Sequence, residues 1–304
     1  MKTATRHCAW CPAGAPEAMR HGAVRDAFLA ACGWDVAVRK PGNVSRQSDG
    51  HGMQAQTFLD SAAASVDGLC APGSAVGARI EAAIAASWAR VGCNTNLGIV
   101  LLCAPMAAAA ERVDAPDGLR AAIADVIDAL DVADAEAAFR AIVQANPGGL
   151  GVAADGDVRT PPRMTLREAM TLAAGRDRIA AQYRDGLAEL FERGLPALAG
   201  HAQGDTLIAA PIDAQAVQRL YLAWLASDLD SHIVRKHGVA LAQSVLNEAR
   251  LWQRRAEAGE PLDADPRWAD WDRSLKARRI NPGTSADLTV ATLMLALLGA
   301  RTPR

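Results

Sequence analysis

Asp213-Ala-Gln-Ala-Val217-Gln-Arg-Leu220-Tyr221-Leu-Ala-Trp224-Leu225 opens on a capping residue, then sets Val217, Leu220, Tyr221, Trp224 and Leu225 at the i, i+3, i+4, i+7, i+8 spacing of one helical face. Five large apolar side chains on one face predict a helix that packs against a core. Nothing elsewhere in the chain reads as strand. Aromatics are only 4%, Ala-, Leu- and Arg-rich segments dominate, and alternating Val/Ile/Thr/Tyr runs are missing. A capping box at Thr165-Leu-Arg-Glu168 starts a second clear helix, running through Tyr183. Further helices are expected near 16–32, 54–70, 75–91, 96–112, 117–130, 133–145, 187–193, 230–258, 267–279 and 285–300. No fixed repeat period supports a solenoid, so the fold class is all-α, a compact multi-helix single domain.

Residues 1–15 read as a mobile N-terminal segment and 16–304 as the helical domain. Asn146-Pro-Gly-Gly-Leu-Gly-Val-Ala-Ala-Asp-Gly-Asp-Val-Arg-Thr-Pro-Pro162 falls in a Gly/Pro-rich stretch, 146–163, too long for a simple connection. It is read as a loop over the site, a linker between two halves being the alternative.

With 304 residues, 50% of them hydrophobic, and a mean hydropathy near zero, the chain can bury a sizeable core. A net charge of -2 and a pI near 6.3 give no electrostatic footprint for nucleic acid or an anionic membrane. The longest apolar run, Leu97 to Ala110, has 14 residues and contains Pro105, short of the roughly 20 needed to span a bilayer. No secretory signal is evident, and a cytoplasmic location is expected. The six cysteines read as reduced core residues; His7-Cys8-Ala-Trp-Cys11 lacks the second pair a zinc site needs. Ala-rich helices permit close packing between subunits of a homo-oligomer.

Four polar islands interrupt this pattern. Arg39-Lys-Pro-Gly-Asn-Val-Ser-Arg46 is a turn holding Lys40, one of only four lysines against 28 arginines, and Asn43; an ammonium beside a turn can hold phosphate as a point charge. Val91-Gly-Cys-Asn94-Thr95-Asn96-Leu-Gly-Ile-Val-Leu-Leu102 puts capping residues at a helix N-terminus, which attracts oxyanions. Ser227-Asp-Leu-Asp230-Ser-His-Ile-Val-Arg235-Lys236-His-Gly238 crowds acids and cations after the Val217 stripe. If the helix runs on, Asp228 faces the core; if it breaks, Asp230 starts a new helix with Arg235 and Lys236 within two turns. In Arg278-Arg-Ile-Asn281-Pro-Gly283-Thr-Ser285-Ala-Asp287-Leu288, Thr284 or Ser285 caps the last helix, and Asp287 sits in its first turn, where the dipole favours the ionised form. Asp177, spaced from Leu166, Met170 and Ala173, is expected on an inner helix face, a common setting for metal-binding acids.

In this order, Lys40-Pro-Gly-Asn-Val44, Phe58-Leu-Asp-Ser-Ala62, Gly92-Cys-Asn-Thr-Asn-Leu-Gly98, Asp230 with Arg235-Lys236, and Asn281-Pro-Gly-Thr-Ser-Ala-Asp-Leu288 resemble the triphosphoribosyl-dephospho-CoA synthase family. The resemblance implies an all-α enzyme that turns ATP and dephospho-CoA into triphosphoribosyl-dephospho-CoA and adenine, with magnesium. Asn94-Thr-Asn-Leu-Gly98 stands where the citrate-lyase enzymes resemble Asn-Thr-His-Lys-Gly, and Arg235-Lys-His-Gly238 where they approach His-Arg-Gly-Gly. The chain looks more like the branch found in archaea and methylotrophic bacteria.

Displacement at an anomeric carbon needs a charge clamp for the phosphates and a base for the acceptor hydroxyl. The expected magnesium ligands are Asp177, Asp230 and Asp287, with Asp230 as the base. Lys40, Asn43, Asn94, Thr95, Asn96, Arg235, Lys236, Asn281, Gly283 and Ser285 are expected to hold phosphate or nucleotide. The partners are then ATP or another phosphorylated ribosyl donor and a small-molecule acceptor. Glycosyl transfer in methanopterin- or methanofuran-type cofactor synthesis, or non-catalytic binding of a nucleotide or cofactor precursor, are the alternatives.

Overall fold

The structure is a computed structural model that describes residues 17–148, 156–200 and 212–299. These form fourteen α-helices: α1 (Glu17–Ala37), α2 (Ala55–Leu69), α3 (Val76–Val91), α4 (Leu97–Ala110), α5 (Leu119–Asp128), α6 (Val132–Ala145), α7 (Leu166–Ala173), α8 (Arg178–Arg184), α9 (Leu195–Ala199), α10 (Ala214–Leu225), α11 (Ser231–His237), α12 (Val239–Glu257), α13 (Pro266–Ala277) and α14 (Gly283–Gly299). Two isolated bridges, Ser45 with Ser48 and Gly50 with Met53, are the nearest approach to strand among the described residues. The all-α class follows. The Cys8/Cys11 pair and the middle of the 146–163 loop lie outside the described residues; Cys32, Cys70 and Cys103 are buried, Cys93 is partly so, and all four are free thiols.

The centre is built on α4 and α14, both apolar on every face and almost wholly buried. They pack on each other, with α1, α2, α3, α5 and α8 around them. Pro105 lies inside α4 and lacks the N–H that would bond the Leu101 carbonyl four residues back. The buried Tyr183 hydroxyl of α8 donates to that carbonyl at 2.6 Å, so the orphaned acceptor becomes the anchor between the two helices.

Helix α10 starts as the sequence implies, with Asp213 accepting from the Ala216 amide at 2.8 Å. Its burial is two-sided. Val217, Leu220 and Trp224 join the main core, whereas Tyr221, Leu222 and Leu225 face a second core built with α11, α12 and α13. One stripe serves both because the helix lies between two apolar layers. In the second core Trp252 meets Trp268 edge-on with ring centroids 5.0 Å apart and stacks on Trp271 at 6.3 Å.

Two long helices expected from periodicity are each broken. The span through Tyr183 stops at Ala173 and restarts at Arg178, because Asp177 leaves the helical path and accepts from the Ile179 and Ala180 amides at 2.9 and 3.2 Å. The span 230–258 breaks at Gly238, whose φ of 86° is left-handed and suits a residue without a Cβ. Asp228 sits exposed in the turn before α11, so the helix does not run on and Asp230 starts the next one.

Candidate functional site

These breaks bring helix N-termini together. A cavity of about 510 Å³ is walled by Asn96, Leu97 and Gly98 of α4, Asp177 and Ala180 at α8, His232 of α11, and Gly283 and Thr284 of α14. Four positive helix ends aimed at one space favour anions there. Phe58, Ile99, Leu101, Phe139, Ile142 and Met170 supply an apolar wall, and Gly148 with Gly156 to Arg159, at the described ends of the 146–163 stretch, border it.

Charge is unevenly paired across this cavity. Of the acids on the wall, Asp35 has Oδ1 2.8 Å from the Lys40 ammonium, and Asp177 has Oδ2 3.1 Å from Arg235. Asp287, half-buried and facing the cavity, has neither hydrogen bond nor ion pair to any described residue. Burial, reinforced by Asp35, Asp230 and Asp177, holds its carboxyl well above the usual carboxylate range, which corrects the expectation that the helix dipole keeps it ionised. Its Oδ2 presses on α4, where a Cβ added to Gly98 would lie 2.1 Å away. Lys236 and Arg176, also on the wall, form no ion pair among the described residues. Burial and then Arg235 lower the Lys236 ammonium from its usual range.

The sequence-derived residues divide into wall and support. Asn43, Asn94, Thr95, Asn96, Asp177, Arg235, Lys236, Asn281, Gly283 and Asp287 border the cavity. Lys40 does not. It is fully buried, bonding the Asp35 carbonyl at 2.8 Å and Asn43 Oδ1 at 2.7 Å, so the expected phosphate ligand is instead the internal cation that fixes the turn. Thr95 and Asn96 turn their polar atoms inward: Thr95 donates to Ser61 at 2.5 Å, Asn96 accepts from Ser87 at 3.0 Å and donates to Ser65 at 3.2 Å. Asn94 Oδ1 is held by the Leu97 amide at 3.2 Å. These side chains shape the entry to α4 and leave little to offer a phosphate.

Asp230 is corrected most. Oδ1 accepts from the His232 and Ile233 amides at 3.0 and 3.1 Å, while Oδ2 accepts from both the amide and hydroxyl of Ser285 at 2.8 Å. With four hydrogen bonds and 2% exposure, it joins the starts of α11 and α14 and does not border the cavity. Ser285 is spent on the same contact. Asp35, His51, Arg176 and His232 are wall residues the sequence reading missed; only their nearness to the quoted islands hinted at them.

The model of ATP:dephospho-CoA triphosphoribosyl transferase (CitG) matches residues 21–304, a span containing every element around this cavity. The chain belongs to this family. It is therefore a transferase of coenzyme-type prosthetic-group synthesis. In fold the chain is similar to a crystal structure from Archaeoglobus fulgidus, provisionally named a triphosphoribosyl-dephospho-CoA synthase, with a TM-score of 0.61 and 22% identity over 81% of this chain and 99% of that one. At that identity the likeness speaks for the fold. Among curated proteins no significant match was found. No described helix of this CitG-family chain is long and apolar enough to cross a membrane.

No group of three His, Cys, Asp or Glu is placed to hold a metal among the described residues, so Asp177, Asp230 and Asp287 do not form the expected cluster. Magnesium asks for less, since it keeps several waters and takes one or two carboxylates with substrate phosphates. Asp35 and Asp177 on the wall meet that smaller requirement; Asp230, fully engaged, does not.

Proposed function

We propose that this CitG-family transferase joins the ribose of ATP, or of a close phosphorylated analogue, to a hydroxyl of dephospho-CoA or a related cofactor intermediate, releasing adenine. The observation that carries the reading is the uneven pairing within one cavity: among the described residues Lys236 and Arg176 have no anion, and Asp287 has no donor or cation. The triphosphate lies toward Lys236, Arg176 and Arg235, where an ammonium acts as a point charge and guanidinium groups hold oxygens in pairs. The Asp287 carboxylate, whose affinity for a proton its surroundings raise, takes the acceptor hydroxyl proton. The hydroxyl oxygen bonds to the anomeric carbon as its bond to the adenine nitrogen breaks. Adenine leaves with that electron pair and collects one proton, balancing the one Asp287 removed. Asp35 and Asp177 would hold magnesium, which would supply a charge clamp for the phosphates. The apolar wall of Phe58, Phe139 and Met170 excludes water that would hydrolyse the activated ribose.

Chromatography of the reaction of pure protein with ATP, magnesium and dephospho-CoA tests this. Adenine should appear in step with loss of ATP; formation of ADP or AMP in its place would overturn the proposal. Release from ATP with a pterin or furan intermediate and not with dephospho-CoA would move the acceptor to the one-carbon cofactors.

A further inference from the structure

Among described side-chain atoms that are buried without a hydrogen bond, those on the cavity wall belong to Asp35 and His232. The Asp35 oxygen lies 2.8 Å from the Lys40 ammonium, so its charge is met. His232 Nε2 has no partner among the described residues. Native proteins leave few buried polar atoms unsatisfied, and the residue carrying this one lines the cavity, so a ligand seated there is the partner within reach of a small shift of the ring.

The ring is held in place with some care. The His232 amide is bonded by Asp230 Oδ1 at 3.0 Å and Thr284 Oγ1 at 3.2 Å, which fixes the residue at the start of α11. Its Nδ1 edge rests on Gly283, where an added Cβ would come within 2.7 Å, so the absence of a side chain at 283 is what seats the imidazole. Burial first, then Lys236, Arg235, His51 and His237, oppose a charge on the ring. A neutral imidazole offers one donor and one acceptor.

We infer that His232 is a binding residue for the nucleoside half of the donor, taking an uncharged polar group of ribose or base while Lys236 and Arg176 take the phosphates. A neutral ring beside unpaired cations is outcompeted for phosphate, and the groups left for it on such a donor are hydroxyls and base nitrogens. The inference rests on the ribosyl-transfer reading for the identity of the donor, but its test does not require turnover.

Calorimetric titration with ATP, adenosine and inorganic triphosphate of the parent, His232→Phe and His232→Asn provides that test. His232→Phe should weaken ATP and adenosine at least 10-fold while leaving triphosphate within twofold, and His232→Asn, which keeps a donor and an acceptor, should recover part of the loss. Unchanged adenosine and ATP affinity, an equal loss for triphosphate, or a parent that binds no nucleoside would each overturn it. If His232→Phe does not fold, His232→Asn against the parent carries the same comparison. Nucleoside binding that depends on His232 in a protein releasing no adenine would contradict the ribosyl-transfer reading and leave this inference standing.

Discussion

Asp230 and Ser285 are joined twice, the amide and the hydroxyl of Ser285 each 2.8 Å from the same carboxylate oxygen. Through its other oxygen Asp230 caps α11, so one side chain locks the start of α11 to the start of α14 at the edge of the cavity. Asp230→Ala orphans the buried Ile233 and Ser285 amides, leaves the His232 amide to Thr284, and should cost about 3 kcal/mol in urea unfolding, summing a lost cap and hydrogen bonds to a charged group. Activity per folded molecule should fall less than 10-fold. A catalytic role would show as a far larger fall in a protein that still folds.

Asp287 has the opposite profile. Its carboxyl has no partner among the described residues and sits well above its usual range, so the folded protein gains little from its charge. Asp287→Asn should leave the melting temperature equal or higher and lower kcat by about 10²- to 10⁴-fold, the worth of a general base. A destabilised variant with normal kcat would reverse the roles of the two acids.

Lys236→Ala and Arg176→Ala should each raise the KM for ATP about 10-fold with a smaller change in kcat, since phosphate binding is made in both ground and transition states. Affinity for inorganic triphosphate should fall in parallel and depend less on salt than in the parent. Steady-state kinetics at two ionic strengths reads both.

Burial, followed by Lys236, Arg235, His51 and His237, pushes the His232 imidazole down to about 3. In the unfolded chain it takes a proton near pH 6.5. Below that pH the unfolded state therefore binds a proton that the folded state refuses, and stability present above pH 6.5 is lost as pH falls toward 3. The slope reaches about 1.4 kcal/mol per pH unit. Urea unfolding from pH 7 to 4.5 should show a flatter decline for His232→Asn than for the parent.

Tyr183→Phe leaves the Leu101 carbonyl without its 2.6 Å donor, because Pro105 cannot supply the helical one. The loss should be about 1–3 kcal/mol. Pro105→Ala restores an amide opposite that carbonyl, so the double variant should recover part of it in a double-mutant cycle.

Elements governed by local pattern were legible in the sequence. The Asp213 cap, the Thr165 capping box and the buried faces of α4 and α14 follow from residues within a few turns of one another. The interruptions at Asp177 and Gly238 were not, because periodicity continues across them and only the tertiary fold decides where a carboxylate leaves the helix or a glycine turns left-handed. Within the site, residue type pointed to islands that the fold brings to one cavity, though not to which of their side chains border it. Lys40 and Asp230 look functional by charge, yet the chain satisfies each internally, Lys40 within its own turn by Asp35 and Asn43 and Asp230 by Ser285 far along the sequence. His232 and Asp35 become visible only when α11, α14 and the end of α1 enclose one cavity.

Mass spectrometry of products from the parent, Asp287→Asn and Asp230→Asn, each with magnesium, ATP and dephospho-CoA, tests the central claim most directly. The account predicts a triphosphoribosylated acceptor and equimolar adenine from the parent and from Asp230→Asn, and neither from Asp287→Asn although it is folded. Product from Asp287→Asn at the parental rate would contradict it.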